Sequence, residues 1–321
     1  MASFLSEHGA AIHQARERIA PWVRHTPSLL TDLDSHLVLK AESLQVTGSF
    51  KPRGAFNAIL SLRQQRPDTT AVCSVSSGNH AQAVAYAARV CGLGAVVVIP
   101  EGANPLKVSA TKAWGAEVVN SGVTFDNRED VAAQLARERG IPMVHPFDDW
   151  NVIHGQGTIA LELLDDCPDL AAIVAPVGGG GMLSGIALAV RHAGKDVAII
   201  GVEPEVADDA ARSVATGMHQ RLDATPATLA DGVKVLSIGE RSFEVFVTRG
   251  LVDAVVTVSE AQLRDAVNEV WRTAHLFIEP TAALPLAAYR AGKVPARGDG
   301  KVALVLSGGN ADPAVVRQLL A

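Results

Sequence analysis

The chain has 321 residues, of which 48% are hydrophobic and 19% are charged, so it can bury the core of one large domain or of two ordinary ones. Its formal net charge is −6 and no basic run occurs, which argues against nucleic acid and anionic membranes as partners. Three scattered cysteines are typical of a reducing compartment, and the sequence has neither a signal-peptide core nor a membrane-spanning apolar run. We therefore expect a soluble, cytoplasmic protein.

Short apolar runs alternate with amphipathic stretches, a pattern typical of parallel sheets covered by helices on both faces. The predicted strands are 36–40, 71–75, 95–99, 117–120, 171–176, 197–202, 254–258 and 301–306. The predicted helices include 78–91, 105–114, 125–139 and 156–164. Eight strands could close into a barrel, but uneven spacing and polar inserts near 145–155 and 218–245 favour two open sheets. Because no linker separates two halves, we expect the second domain to be inserted within the first.

Residues 49–53, SFKPR, place Lys51 between an aromatic residue and a predicted helix start. A lysine amine becomes a nucleophile when it is held and partly desolvated, and it then forms Schiff bases with carbonyl compounds. The alternative is a solvated lysine at a helix N-terminus. The pentapeptide alone favours that alternative, so the interpretation of Lys51 depends on the rest of the chain.

Three further polar loops follow predicted strands, at the positions where open parallel sheets bind ligands. Residues 76–80, SSGNH, offer free backbone N–H groups at a helix start, which suit a carboxylate. Residues 178–181 are four consecutive glycines, whose N–H groups can converge on a phosphate. In residues 307–310, SGGN, the Ser307 hydroxyl can pair with a ring nitrogen. For each loop the alternative is an ordinary strand-to-helix turn.

The glycines do not form a nucleotide-binding fingerprint. Residues 155–160 fit the loose pattern G-x-G-x-x-A, but no predicted strand precedes them and no acidic residue follows at the spacing of a dinucleotide site. A nucleotide-binding α/β protein that uses the glycine run is therefore the weaker interpretation.

Taken in order, the lysine after Gly-Ser-Phe and the SSGNH, GGGG and SGGN loops resemble the fold-type II enzymes that use pyridoxal phosphate (PLP), namely the serine racemase and threonine/serine dehydratase family. The resemblance spans essentially the whole chain. It implies two open, twisted parallel-sheet domains with helices on both faces. Residues 1–50 and 146–321 would form the large PLP-binding domain, and residues 51–145 a smaller, mobile inserted domain. It also implies a homodimer.

By this resemblance, the Lys51 amine holds PLP and is catalytic, and Ser77 is a second catalytic group. The implied cofactor-binding residues are Phe50, Lys51, Asn79, Gly178, Gly179, Gly180, Gly181, Met182, Glu279 and Ser307. The implied substrate-binding residues are Ser76, Ser77, Asn79, His80, Arg128 and Asp231.

The resemblance further implies a divalent cation, Mg²⁺, Mn²⁺ or Ca²⁺. Residues 203–209 match a site of serine racemases and related dehydratases in which two carboxylates and one backbone carbonyl bind the ion. The ligands here are Glu203, Ala207 and Asp209, and oxygen ligation suits hard cations. Without the resemblance, an acidic helix start after a strand is the simpler interpretation.

The implied reaction is β-elimination from a hydroxy amino acid such as L-threonine or L-serine, which yields a 2-oxo acid and ammonia. Amino-acid racemisation and 3-hydroxyaspartate dehydration are the alternatives within the family, and racemisation needs the second acid/base that Ser77 supplies. A non-catalytic amino-acid-binding regulator on the same fold is a further alternative, which the intact Lys51 disfavours. Departures from the family pattern at Pro52, Phe147, Trp150 and His154 leave the substrate open.

Overall fold

In the computed structural model of the protein, which describes residues 1–320, nine strands form two separate sheets. The strands are β1 (Ser28–Leu30), β2 (Leu37–Lys40), β3 (Ala71–Val75), β4 (Gly94–Val98), β5 (Glu117–Val119), β6 (Leu170–Pro176), β7 (Ala198–Pro204), β8 (Ala254–Val258) and β9 (Lys301–Val305). All eight predicted strands are present. The short β1 was not predicted.

Twelve α-helices cover these sheets within the described residues. They are α1 (Ala2–Ile19), α2 (Lys51–Gln65), α3 (Asn79–Val90), α4 (Pro105–Ala113), α5 (Arg128–Arg139), α6 (Trp150–Asp166), α7 (Gly181–His192), α8 (Asp209–Thr216), α9 (Glu240–Phe243), α10 (Glu260–Glu269), α11 (Leu284–Arg290) and α12 (Pro313–Leu320). Short 3-10 turns lie at Glu42–Leu44, Val46–Gly48, Asp231–Val233 and Pro280–Ala283, and π-helical turns at Glu244–Thr248 and Val270–Ala274. None of the helices within residues 1–320 has the length and apolar character needed to cross a membrane.

The larger sheet has the strand order β1-β2-β9-β6-β7-β8, and the smaller has the order β3-β4-β5. Every neighbouring pair is parallel except β1 and β2, which pair antiparallel at one edge. The antiparallel edge strand is a departure from the all-parallel expectation. Such an edge is common on otherwise parallel sheets.

The larger sheet is buried on both faces. Ile173 of β6 packs into a core with Ile12 of α1 and Ile186 of α7, whereas its neighbour Val174 packs into a second core with Leu286 of α11. This alternation is the period-two geometry of a strand. The smaller sheet likewise lies between a core that includes α2 and α3 and a core that includes α5. The predicted fold class, two open α/β units with helices on both faces, is confirmed, while the expected domain limits stay a prediction.

Helix α6 begins six residues before the predicted start of 156. The Asp149 side chain caps it by accepting hydrogen bonds from the backbone N–H groups of Asn151 and Val152, at 2.7 and 3.2 Å. Aspartate is a favoured N-cap residue because it satisfies N–H groups that lack an intrahelical partner. The added turns of α6 include Val152, whose carbonyl oxygen lies against Gly54 in the first turn of α2.

Helices α2 and α6 approach so closely that their backbones touch. A Cβ atom added at Gly54 of α2 would lie 2.5 Å from Gln156 Nε2 and 2.8 Å from the Val152 carbonyl oxygen. A Cβ atom at Gly155 of α6 would overlap the backbone of Arg53. Because glycines stand on both sides, the start of α2 is held directly against the larger unit.

Candidate active site

A cavity of about 580 Å³ lies between the two sheets, where the polar loops after several strands meet. All predicted cofactor-binding, substrate-binding and catalytic residues line this one cavity, namely Phe50, Lys51, Ser76, Ser77, Asn79, His80, Arg128, Gly178, Gly179, Gly180, Gly181, Met182, Asp231, Glu279 and Ser307. Within each sheet these loops lie together because the carboxyl ends of parallel strands share one edge. Their individual roles stay predictions.

Lys51 is the first residue of α2, and its side chain enters the cavity. Its Nζ donates a hydrogen bond to the Pro146 carbonyl oxygen at 2.9 Å and lies 5.0 Å from the centre of the Phe50 ring. Burial lowers the pKa of the amine to about 8, and the negative charge of Glu279 opposes this effect. A substantial fraction of the amine is therefore neutral, and so nucleophilic, near pH 8.

Three of the four glycines in residues 178–181, namely Gly179, Gly180 and Gly181, leave no room for a side chain. Gly180 has φ = 83°, a left-handed conformation that favours glycine, and a Cβ atom there would lie 2.7 Å from Ser242 Oγ. A Cβ atom at Gly181 would lie 2.7 Å from the Phe147 carbonyl oxygen. Helix α7 begins at this loop, and no side chain of the described residues caps it. Its first N–H groups and its dipole thus offer an anion site at the cavity wall.

Ser307 lies just after β9, opposite the start of α2. Its carbonyl oxygen accepts a hydrogen bond from the Phe50 N–H at 3.1 Å, which ties the two loops together. Its Oγ atom is buried, and among residues 1–320 it has no hydrogen-bond partner. Since buried hydroxyls are nearly always paired, this atom is a candidate contact for a bound molecule.

Asn79 and Glu279 are linked across the cavity. The Asn79 side-chain amide donates to the two carboxylate oxygens of Glu279 at 2.8 and 3.1 Å, and its oxygen accepts from Asn310 at 2.8 Å. Burial and the negative charge of Asp231 raise the pKa of Glu279 to about 7, opposed by the Asn79 hydrogen bond and by the charge of Lys107. Glu279 therefore changes charge near neutral pH.

The SSGNH loop begins α3. The Ser76 hydroxyl accepts from the Gly78 N–H at 3.2 Å, and the exposed Ser77 side chain lines the cavity. His80 is buried, and burial lowers its pKa well below the usual range, so the ring is neutral. His80 Nε2 lies 3.3 Å from the Val144 carbonyl oxygen, an acceptor only, so Nε2 carries the hydrogen.

Lys107 of α4 lines the cavity although the sequence analysis did not select it. Its ammonium pairs with the Asp231 carboxylate of the larger unit, and Asn104, at the same end of α4, donates to Asp312. The charge of Asp231 raises the pKa of Lys107 against the opposing effect of burial. The only sequence signal was a lysine in the first turn after the Asn104–Pro105 helix start.

The expected cation ligands lie outside the cavity, at the end of β7 and in the residues that follow it. The Glu203 carboxylate accepts from the N–H groups of Ala210 and Ala211 at 3.2 and 2.9 Å. Asp209 Oδ2 is buried without a hydrogen-bond partner in the described chain. Burial and mutual repulsion raise the pKa of Glu203, and burial raises that of Asp209 to about 6. Residues 1–320 contain no group of three or more His, Cys, Asp or Glu side chains placed to hold a metal ion.

Comparisons with known proteins agree with this geometry. Residues 19–308 match the family described as pyridoxal-phosphate dependent enzyme. The chain is 40% identical to serine racemase of Arabidopsis thaliana over 94% of its own length and 92% of the relative. It is also 40% identical to L-threo-3-hydroxyaspartate ammonia-lyase of Pseudomonas sp, over 93% of this chain and 94% of that protein. The crystal structure of T.th. threonine deaminase superposes with a TM-score of 0.88 at 47% identity, covering 94% of this chain and 98% of that one.

The chain therefore belongs to the pyridoxal-phosphate-dependent enzymes, as the resemblance implied. The cavity fits that cofactor on its own evidence. An uncapped helix start with a side-chain-free glycine loop suits a phosphate. The partly neutral Lys51 amine suits an aldehyde, and the unpartnered Ser307 hydroxyl suits a ring nitrogen.

The buried Glu279 generates a prediction on stability. Its pKa is raised from 4.5 to about 7, so the folded chain keeps a proton there that the unfolded chain has lost. This proton stabilises the folded chain. Its contribution to the free energy of unfolding is complete below pH 4.5 and is lost as the pH rises to about 7. We expect the free energy of unfolding of the cofactor-free chain, measured with urea, to fall over this pH range. The fall should be on the order of 3 kcal/mol larger in the wild type than in Glu279→Gln. The exposed Glu138→Gln variant is the control and should follow the wild type; parallel profiles for all three proteins would contradict the assignment.

Proposed function

We propose that this chain is a PLP-dependent dehydratase, or ammonia-lyase, that converts hydroxy amino acids such as L-threonine and L-serine to a 2-oxo acid and ammonia. The observation that carries the proposal is the Lys51 amine, desolvated in a cavity that the glycine loop and the uncapped start of α7 also line. The similarity to T.th. threonine deaminase supports the choice of reaction.

In this proposal, bound PLP supplies the stabilisation of negative charge at the substrate Cα. The chain's own groups do the rest. The neutral Lys51 amine removes the Cα proton, and the N–H groups of residues 76–80 at the start of α3 hold the substrate carboxylate. The glycine loop would hold the phosphate of the cofactor and Ser307 its ring nitrogen, and Phe50 and Asn79 would contact its ring. Hydroxide leaves from Cβ and takes up a proton that balances the one Lys51 removed from Cα, so water is lost, and hydrolysis of the released enamine by water gives the 2-oxo acid and ammonia.

Two other reactions remain candidates because specific residues favour them. Ser77 lines the same cavity as Lys51, and an acid/base on a second face is what racemisation needs; the Arabidopsis relative is a serine racemase. Besides Lys51, the cavity lining holds the cationic side chains of Arg128, Lys234 and Lys107, the last of which pairs with Asp231, and these favour a substrate with a second carboxylate such as 3-hydroxyaspartate. The Pseudomonas relative supports that candidate.

The proposal extends to the cation and to the assembly. The buried carboxylates of Glu203 and Asp209, and the Asp209 Oδ2 atom that has no hydrogen-bond partner in the described chain, support a divalent ion held with the Ala207 carbonyl oxygen. The proposed homodimer and the mobility of residues 51–145 rest on the family resemblance. The cytoplasmic location is supported by the cysteines, all of which are free thiols.

Replacing Lys51 tests the central assignment. In Lys51→Ala, the visible absorbance band of the bound cofactor should disappear, and ammonia release from L-threonine should fall by at least about 10³-fold, because anchor and base are lost together. Lys112→Ala, an exposed lysine on α4, is the matched control and should behave as the wild type. Assays of 2-oxo acid over L-serine, L-threonine and 3-hydroxyaspartate identify the substrate. Near-normal turnover by Lys51→Ala would refute the proposal.

Chelation tests the cation. Removing divalent ions should lower the melting temperature, and Mg²⁺, Mn²⁺ or Ca²⁺ at about 100 times its Kd should restore about 2.7 kcal/mol, because the ion binds only the folded chain. Asp209→Asn should lose this response. Asp208→Asn, which removes an adjacent carboxylate paired with Arg212, should keep it. Identical melting of the wild type with and without chelator would remove the cation from the proposal.

Replacing Ser77 with alanine shows whether the site has an acid/base on one face of the substrate or on both. We expect racemisation of L-serine and elimination from D-serine to fall by about 10²- to 10⁴-fold, because both need an acid/base opposite Lys51. Dehydration of L-serine should stay measurable, since it needs Lys51 alone, and Ser77→Gly repeats the test with less bulk. If L- and D-directed activities fall in equal proportion through a raised KM, Ser77 is only a helix-start residue and carboxylate ligand.

A further inference from the structure

Arg53 lies two residues after Lys51, at the centre of a buried ion network. Its Nε and Nη2 atoms donate to the Glu42 carboxylate at 2.9 and 2.8 Å, and Nη1 and Nη2 donate to the Glu162 carboxylate at 2.7 and 2.8 Å. Nη1 also donates to Thr158 Oγ1 at 3.1 Å. The five N–H groups of the guanidinium therefore each have an acceptor, and the side chain is only 1% exposed.

A second cation, Lys40, completes the network. Its Nζ lies 2.7 Å from Glu162 Oε2 and donates to the Thr26 carbonyl oxygen at 2.7 Å. Two buried cations thus face two buried carboxylates, and the partly exposed Asp166 Oδ2 lies 3.7 Å from Lys40 Nζ at the edge of the network. Within the described part of the chain, none of the four lines the cavity, so the network does not bind the ligand. Buried ion pairs add little net stability over apolar packing. The main effect of this network is therefore to fix the positions of the segments that it joins.

The network fixes one turn of helix from two directions. Arg53 belongs to the first turn of α2, Glu42 follows β2 in the larger unit, and Glu162 belongs to α6. Residues two apart on an α-helix point about 200° away from each other. Lys51 therefore enters the cavity from one side of α2 while Arg53 is clamped on the other. Any rotation of this turn moves both side chains through the same angle.

We propose that Arg53 is a positioning residue for Lys51. The Glu42 and Glu162 carboxylates hold the planar guanidinium of Arg53 and thereby set the rotation of the first turn of α2. That rotation in turn sets the place of the Lys51 amine in the cavity. This inference rests on the proposed role of Lys51 as the amine that holds PLP. The backbone contact of Gly54 with α6 prevents the first turn of α2 from shifting sideways, and the hydrogen bonds of the Arg53 guanidinium prevent that turn from rotating about its axis.

The test compares Arg53→Lys with Lys40→Met in the full-length, PLP-loaded protein. Arg53→Lys keeps the charge but loses the planar fork, whereas Lys40→Met removes a cation from the same network without touching α2. Both should lower the melting temperature. In Arg53→Lys we expect kcat to fall on the order of 10²-fold with KM little changed, because small misplacements of a reacting group cost that much. The visible absorbance band of the bound cofactor should also change its pH midpoint. Lys40→Met should keep the kcat and the midpoint of the wild type.

An unchanged kcat and pH midpoint in Arg53→Lys would overturn the proposal, and so would an equal loss of kcat in Lys40→Met. If Arg53→Lys does not fold, Glu42→Gln takes its place, since it keeps the shape of the acceptor and removes one of its two oxygens. An unchanged kcat and midpoint there overturns the proposal as well. If the unsubstituted protein shows neither the cofactor band nor ammonia release, the proposed function fails first, and the two failures are thereby distinguished.

Discussion

Backbone contact between α2 and α6 is the constraint on which the cavity depends. Gly155 of α6 lies against the Arg53 backbone, and Gly54 of α2 lies against the Gln156 side chain and the Val152 carbonyl oxygen, which would be 2.8 Å from a Cβ at Gly54. Helices normally pack side chain to side chain, whereas here backbone atoms of the two helices approach directly. It brings the N-terminus of α2, and Lys51 with it, up to the loops that follow the strands of the larger sheet.

The electrostatics of the cavity follow from that placement. Burial lowers the pKa of Lys51 and raises that of Glu279, so both groups change charge near neutral pH. The glycine loop at the start of α7 offers backbone N–H groups to an anion in the same cavity. A phosphate can therefore be bound by the uncapped helix start itself.

Much of this arrangement could be predicted from the sequence, because strands, glycine loops and helix starts are local patterns. The four polar loops, and the sheets that carry them, belong to this class. What could not be predicted depends on pairs of residues far apart in the chain. Asn79 meets Glu279, Lys107 meets Asp231, and Arg53 meets Glu162, all more than 100 positions apart. The strand β1 was missed because three residues are too few for a periodic pattern.

The two sheets with their helices meet at two places beside the cavity, and the contacts at these two places are of different kinds. At α2 and α6 the units meet backbone to backbone, a contact that dissolved salt does not weaken. At α4 they meet through the half-exposed Asp231, paired with Lys107, and through Asn104 with Asp312. Ion pairs in contact with solvent are screened as ionic strength rises. Salt therefore loosens one side of the cavity and leaves the other intact, which makes ionic strength a means of varying access to the cavity without moving the start of α2.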